Sequence, residues 1–206
     1  LNNTTTVKVH TTLAKPVVTF KVDGATGKPT LTWEAVEGAV SYKVYRSTSA
    51  TKSYKAVKTV KGTSYTDTSV SVSKGYYYKV IAIGANSKSV FSSYKKLVAK
   101  CAQVKTTVAV SSSSGKPVVK WSKISGAAKY EIYRATSAAG SYKKLKTTTS
   151  TSYTDTSAKV GVEYFYRVRA LASKSTYNGA FSTARSCIAK CAKPAVTLKT
   201  VASTGK

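Results

Sequence analysis

Methionine is absent from the 206 residues, histidine occurs once, at His10, and seven carboxylate side chains stand against 34 lysines and arginines. Each shortage excludes a kind of chemistry. A hydrolase triad needs a histidine beside a nucleophile, and a glycosidase needs two facing carboxylates. Here the histidine lies near the amino terminus, and the acids are dispersed as Asp23, Glu34, Glu37, Asp67, Glu131, Asp155 and Glu163. We therefore expect no catalytic residue, no metal and no cofactor. No apolar run approaches the ~20 residues of a membrane span, and Leu1-Asn2-Asn3-Thr4-Thr5-Thr6 does not read as a signal peptide. Without an initiating methionine, the chain reads as a processed or excised soluble piece. Its 42% hydrophobic and 20% charged residues are those of a folded protein, and its net charge is +27.

The strongest positive signal is an internal repeat. Gly27-Lys28-Pro29-Thr30-Leu31-Thr32-Trp33 returns 88 residues later as Gly115-Lys116-Pro117-Val118-Val119-Lys120-Trp121. Ser64-Tyr65-Thr66-Asp67-Thr68 returns as Ser152-Tyr153-Thr154-Asp155-Thr156, and Tyr76-Tyr77-Tyr78-Lys79-Val80 as Tyr164-Phe165-Tyr166-Arg167-Val168. Beyond Ile83 and Leu171 the spacing grows to 90, so the loop before Phe181 is two residues longer than the loop before Phe91. A length change confined to one place marks a surface loop. Cys191 to Leu198 in turn resembles Leu13 to Phe20. The expected organisation is a remnant or linker over 1–13, one domain over 14–102, a second over 103–191, and the first strand of a truncated third over 192–206. With no Gly/Ser-rich or Pro-rich spacer between the two copies, one module is expected to run directly into the next as a stiff rod.

Within each copy, short Val-, Thr- and Tyr-rich segments alternate with Gly, Ser, Asn and Lys clusters, and no helix-length apolar stripe occurs. That pattern predicts an all-β fold. Strands are predicted near Val17–Val22, Thr30–Trp33, Tyr42–Arg46, Tyr54–Val60, Ser64–Thr68, Tyr76–Ile83 and Phe91–Ala99, seven in all, which suits a two-sheet sandwich. Period-2 alternation turns Tyr42, Val44, Tyr76, Tyr78, Val80 and Ala82 inward, with Trp33 and Trp121 central to the two cores.

These residues carry a resemblance. A tryptophan on the second strand, Tyr42-x-Val44 on the third and Tyr76-x-x-x-Val80-x-Ala82 on the sixth resemble the fibronectin type III fold. Trp121, Tyr130-x-Ile132 and Tyr164-x-x-x-Val168-x-Ala170 repeat the pattern. The resemblance implies two tandem seven-stranded, immunoglobulin-like β-sandwiches, similar to modules arrayed on secreted and surface proteins of Gram-positive bacteria. No Arg-Gly-Asp occurs, so integrin binding is not implied.

Cys101 and Cys191 are repeat equivalents a module apart, and Cys187 and Cys191 are about 13 Å apart on an extended strand. Neither spacing suits a disulfide, and free thiols are expected. Asp67 and Asp155 fall in turn-prone Thr-Asp-Thr, where a side-chain bond to nearby backbone is the ordinary role. Glu34 and Glu37 are matched by Ser122 and Ser125, so the copies share no acid pair. Asparagines lie only in the tail and the variable loop, which argues against Lys–Asn isopeptide bonds.

The basic surface predicts salt-sensitive attraction to polyanions. Anionic polysaccharides, wall polymers and host glycans are the candidate partners, besides neighbouring modules. Specific nucleic-acid binding is disfavoured by dispersed lysines and the lack of a recognition helix. Strand parity also places Lys43 and Tyr45 outward beside Tyr77, Lys79 and Ile81, and in the second copy Glu131 and Tyr133 beside Phe165, Arg167 and Arg169. Aromatics flanked by cations suit a sugar ring with acidic groups; the structural alternative is cross-strand packing with lysine stems over the rings. Tyr177, in the longer loop, is a second exposed candidate. The expected role is a non-catalytic extracellular or cell-surface spacer or adhesion segment with weak multivalent binding. The alternatives are an accessory module of a secreted polysaccharide-degrading enzyme and a fibre subunit built by strand exchange.

Overall fold

The computed structural model describes residues 12–194 and Val196. The partial copies expected at 1–13 and 192–206, and with them the strand-exchange idea, fall almost wholly outside these residues. Two compact units are present. The first comprises residues up to Gln103 with 124–128 and 170–180; the second comprises 104–123, 129–169 and residues from Phe181 onward.

In the first copy the strands are β1 Val18–Val22, β2 Pro29–Trp33, β3 Ser41–Ser47, β4 Lys55–Val60, β5 Ser64–Thr66, β6 Gly75–Ile83 and β7 Lys95–Val98. They form a three-stranded sheet in the order β1-β2-β5 and a four-stranded sheet in the order β4-β3-β6-β7, with neighbouring strands antiparallel. The second copy repeats them as β8 Thr106–Val110, β9 Pro117–Trp121, β10 Lys129–Ala135, β11 Lys143–Thr148, β12 Ser152–Thr154, β13 Glu163–Leu171 and β14 Arg185–Ile188. Its sheets are ordered β12-β9-β8 and β11-β10-β13-β14. The all-β, double-sandwich expectation therefore holds.

The core follows the alternation. Tyr42, Val44, Tyr76, Tyr78, Val80 and Ala82 are all buried, together with Leu31 and Trp33. Trp33 meets Tyr42 at 5.3 Å between ring centroids, and Trp121 meets Tyr130 at 5.4 Å. Each buried aromatic removes roughly 150–250 Å² from water, so these pairs dominate the packing of a small sandwich.

Three local features depart from simple alternation. First, β5 stops at Thr66 rather than Thr68: Asp67 N–H still donates to Pro29 O at 2.9 Å, but its carboxylate turns into the interior and the chain bends away beyond it. Second, β7 begins at Lys95, not Phe91. Across residues 89–92 serine hydroxyls replace the regular ladder: Val80 N–H donates to Ser92 Oγ at 3.0 Å and Ala82 N–H to Ser89 Oγ at 2.9 Å. Third, β4 carries a bulge. Val44 pairs with Lys58 and Tyr45 with Ala56, so Val57 is skipped; in β11 Leu145 is skipped in the same way.

The β1–β2 turn needs glycine. Gly27 has φ +68°, and a Cβ there would strike the Lys100 carbonyl. Gly115 has φ +67°, and its Cβ would strike the Lys190 carbonyl. The turn thus binds the end of the last strand to the start of the sandwich, with Lys100 N–H donating to Gly27 O at 2.9 Å and Lys190 N–H to Gly115 O at 2.8 Å.

Candidate functional site

The outer surface of the four-stranded sheet β4-β3-β6-β7 gathers most of the sequence candidates of the first copy. Tyr45 is the cross-strand partner of Lys79, and Lys43 that of Ile81; Tyr77 opposes Lys96 on β7. The loop pinned by Ser89 and Ser92 adds two rings to this face. Phe91 meets Tyr45 edge-on at 5.0 Å, and Tyr94 meets Tyr77 at 5.9 Å. Phe91 is 42% and Tyr94 49% exposed, so their outer faces are free for a further contact.

Lys79 stands among these rings. Its Nζ lies 4.3 Å from the Tyr54 centroid, 5.4 Å from Phe91 and 5.6 Å from Tyr94, while Lys96 Nζ lies 5.7 Å from Tyr77. An exposed cation over a ring gains about 0.5–1 kcal/mol. No carboxylate competes for Lys79, because neither the four strands nor the loops 48–54 and 84–94 contain Asp or Glu. Ile81, expected to point into this face, is buried.

In the second sandwich the Tyr45–Phe91 and Lys79–Tyr54 contacts recur at the equivalent positions. Tyr133 meets Phe181 at 5.0 Å, and Arg167 lies over Tyr142 at 4.2 Å, donating to the Ala138 carbonyl at 3.3 Å. Arg169 lies over Phe181 at 4.8 Å. Here the cations meet an acid. Glu131, expected to point outward beside Tyr133, is only 8% exposed. Its Oε2 takes Arg169 Nη2 at 2.7 Å and Nε at 2.8 Å, and its Oε1 takes Lys144 at 3.4 Å. The Tyr133 hydroxyl donates to the same carboxylate at 3.2 Å. Burial by itself would raise the Glu131 carboxyl, but the hydrogen bond and charge of Arg169, helped by Lys144 and Tyr133, hold it below its ordinary range.

The remaining candidates stand apart. Phe165 is half-buried on β13 and joins no ring pair among the described residues. Tyr177, expected to be exposed, is half-buried in a single 3₁₀ turn, Ser175–Tyr177. Tyr54, Phe91 and Tyr94 fall inside the predicted strands Tyr54–Val60 and Phe91–Ala99 but outside the observed ones, which begin at Lys55 and Lys95, so strand parity does not place them on this face. Among the described residues no group of three His, Cys, Asp or Glu is placed to hold a metal. Cys101 is buried, which raises its thiol, while Cys187 is half-buried and Cys191 exposed, all three unpaired.

Asp67 and Asp155 have a larger role than a local turn. The expected bond is present, Ser69 N–H donating to Asp67 Oδ1 at 3.0 Å, with the Ser69 hydroxyl at 2.7 Å. Two distant groups complete the shell: Arg46 Nη1 at 2.7 Å and the Tyr78 hydroxyl at 3.0 Å, both on Oδ2. In the second copy Arg134 and the Tyr166 hydroxyl lie 2.7 and 2.8 Å from Asp155. Both aspartates are 0% exposed. Burial raises such a carboxyl, yet the bonds from serine, arginine and tyrosine outweigh it and leave both below the ordinary range. With its oxygens taken up in this way, each carboxylate is a strut, not a proton carrier.

Comparison with known proteins agrees with this geometry. No protein-family model matches the chain. It is 36% identical over 70 residues to an amylopullulanase of Thermoanaerobacterium saccharolyticum, and 38% identical over 73 residues to one of Thermoanaerobacter thermohydrosulfuricus. These matches cover 34% and 35% of this chain but only 6% and 5% of the relatives' lengths. Among solved structures, the chicken interferon gamma receptor alpha chain superposes with a TM-score of 0.64 over 85% of this chain and 98% of that one, at 13% identity; this is a likeness of fold alone. A fibronectin type III-like protein from Clostridium thermocellum is 34% identical, matched over 93% of its length and 42% of this chain, with a TM-score of 0.39. The chain is thus built of two fibronectin type III-like β-sandwich modules in tandem.

Proposed function

We propose that the chain is a non-catalytic accessory segment of a larger extracellular protein that acts on polysaccharide, with modules over 14–102 and 103–191, and that the outer face of the first module touches the polymer. The observation that carries this reading is the ring cluster Tyr45, Tyr54, Tyr77, Phe91 and Tyr94, two of whose members are strongly exposed on a pinned loop. Aromatic faces pack against the C–H face of a sugar and need no charge for it. The similarity to short segments of two amylopullulanases favours an accessory role over the adhesion role that the same surface would also fit. Binding by one face is weak, and tethering beside other polymer-contacting parts raises its effective concentration.

Retention on a polysaccharide matrix tests the proposal. The chain should be retarded in a pullulan-containing native gel, and a Tyr45→Ala/Tyr94→Ala variant with unchanged circular dichroism should lose most of that retardation. Equal migration of the two proteins at all polymer concentrations would overturn it.

A further inference from the structure

The polysaccharide reading of the first module's face leaves the polymer's chemistry open, and the surroundings of Lys79 narrow it. We propose that this face selects carboxylate-bearing polysaccharide, with Lys79 reading the charge, and that in the second module Glu131 is a built-in ligand for a different cation, Arg169, beside the Tyr133–Phe181 pair. The inference rests on the polysaccharide reading and adds a ligand class and a selecting residue to it.

The geometry suits a charge carried on the stacked ring itself. Lys79 Nζ lies at nearly equal distance from the two exposed rings, 5.4 Å from Phe91 and 5.6 Å from Tyr94. A uronic acid stacked on either ring holds its carboxylate at the ring edge, within reach of that one ammonium. A carboxylate offers the ammonium a charge-assisted hydrogen bond, which a ring face does not. The lysine therefore gains by meeting a carboxylate. A nucleotide fits less well: its flat base is separated from its phosphate by the sugar, so stacking the base leaves the charge away from Lys79. Polymers with several sulfates per ring would instead draw on the dispersed lysines as a group, without special use of this one.

The second module shows what occupation looks like. At the position of Lys43 stands Glu131, Ile81 is replaced by Arg169, and Lys79 is replaced by Arg167, which lies over Tyr142 as Lys79 lies over Tyr54. The Glu131 carboxylate is held by Arg169, Lys144 and the Tyr133 hydroxyl beside the Tyr133–Phe181 pair. A carboxylate beside a ring pair is thus met by cations supplied from within the chain, whereas the matching positions of the first module, Ile81 and Ala56, carry no charge and leave Lys79 as the cation among the rings. Tyr94 also has no counterpart ring, since Ala184 takes its place.

The decisive experiment titrates the whole chain with polygalacturonate, pullulan, dextran sulfate and oligothymidine at fixed moderate salt. We expect polygalacturonate to bind about tenfold more tightly than pullulan, equivalent to about 1.4 kcal/mol. Lys79→Gln should remove that preference without changing pullulan binding, and Lys79→Arg should keep it. Lys21→Gln, on the opposite sheet, controls for the loss of one charge. Glu131→Gln should add a second polygalacturonate site, whereas Glu131→Asp should not. Equal wild-type affinity for polygalacturonate and pullulan would sink the selectivity and leave the polysaccharide reading intact; binding to neither would sink both. Tighter binding of dextran sulfate or oligothymidine, unaffected by Lys79→Gln, would reduce the face to a general polycation and overturn the proposal.

Discussion

The two sandwiches agree in their interiors and differ on one outer face. The Asp67–Arg46 contact and the Asp155–Arg134 contact are both 2.7 Å, each with a serine and a tyrosine on the same carboxylate. The bulge in the edge strand recurs at the same place. On the outer face, by contrast, both copies hold a cation over a tyrosine, Lys79 and Arg167, but only the second adds a further arginine, Arg169, closed by Glu131. Positions that fix the frame are tied to several partners at once, so they change together or not at all. Outward positions on a strand answer to few neighbours, and there the copies have separated.

The firmest way to break this comparison is to strike the shared frame. Asp67→Ala and Asp155→Ala each leave an arginine without its buried partner and should cost their own sandwich about 3 kcal/mol. Urea unfolding followed by tryptophan fluorescence checks this, since each sandwich has one tryptophan. Losses that differ by more than twofold would show that the two struts are not equivalent.

Acid is a milder probe of the same frame. A carboxyl held below its unfolded value contributes stability that is present above about pH 4 and is lost as pH falls through the folded value. Both sandwiches should weaken together from about pH 4 downward through Asp67 and Asp155. Each carries one further depressed acid, Asp23 in the first, held chiefly by Thr26 at the surface, and Glu131 in the second, enclosed by Arg169, Lys144 and Tyr133, so the second should lose more. Urea midpoints at pH 7, 4 and 3 measure the gap; a first sandwich that loses as much as the second would remove Glu131 from the account.

The smallest effect concerns the missing ring. Ala184→Tyr rebuilds on Phe165 the pair that Tyr94 makes with Tyr77, and should stabilise the second sandwich by about 0.5–1 kcal/mol. Polygalacturonate retention should not change while Glu131 holds Arg169. A gain in retention by this variant alone would show that the ring, not the acid, separates the two faces.

Much of the frame was legible in sequence because burial on a strand has a period of two: Tyr42 and Val44, or Tyr78 and Val80, declare their side. The Asp67–Arg46 pair was not, since the two residues are separated by a whole strand and the Thr-Asp-Thr signal points to its own turn. The Val-, Thr- and Tyr-rich pattern extends the last strand back to Phe91, whereas in the fold Ser89 and Ser92 satisfy the neighbouring backbone by side chain and the strand begins at Lys95. Lys43, Tyr45, Tyr77 and Lys79 were found by parity; Tyr54 and Tyr94 enter from outside the ladder, where parity has no meaning. Glu131 illustrates a further limit: an outward position became buried because three donors converge on it.

The residue skipped in each edge strand also bears on how such a chain completes its folding. Two near-identical copies on one polypeptide keep wrong strand partners close at hand during synthesis, and exchange between copies is a characteristic failure of repeat proteins. A bulge bends and twists the strand that carries it. Val57 and Leu145 thus spoil β4 and β11 as flat templates, and Lys55, Lys58, Lys143, Lys144 and Lys146 place charge along the same edges. Each copy can then close on its own strands before its neighbour's become competitors, so the fidelity of the tandem is written into its least ordered-looking strand.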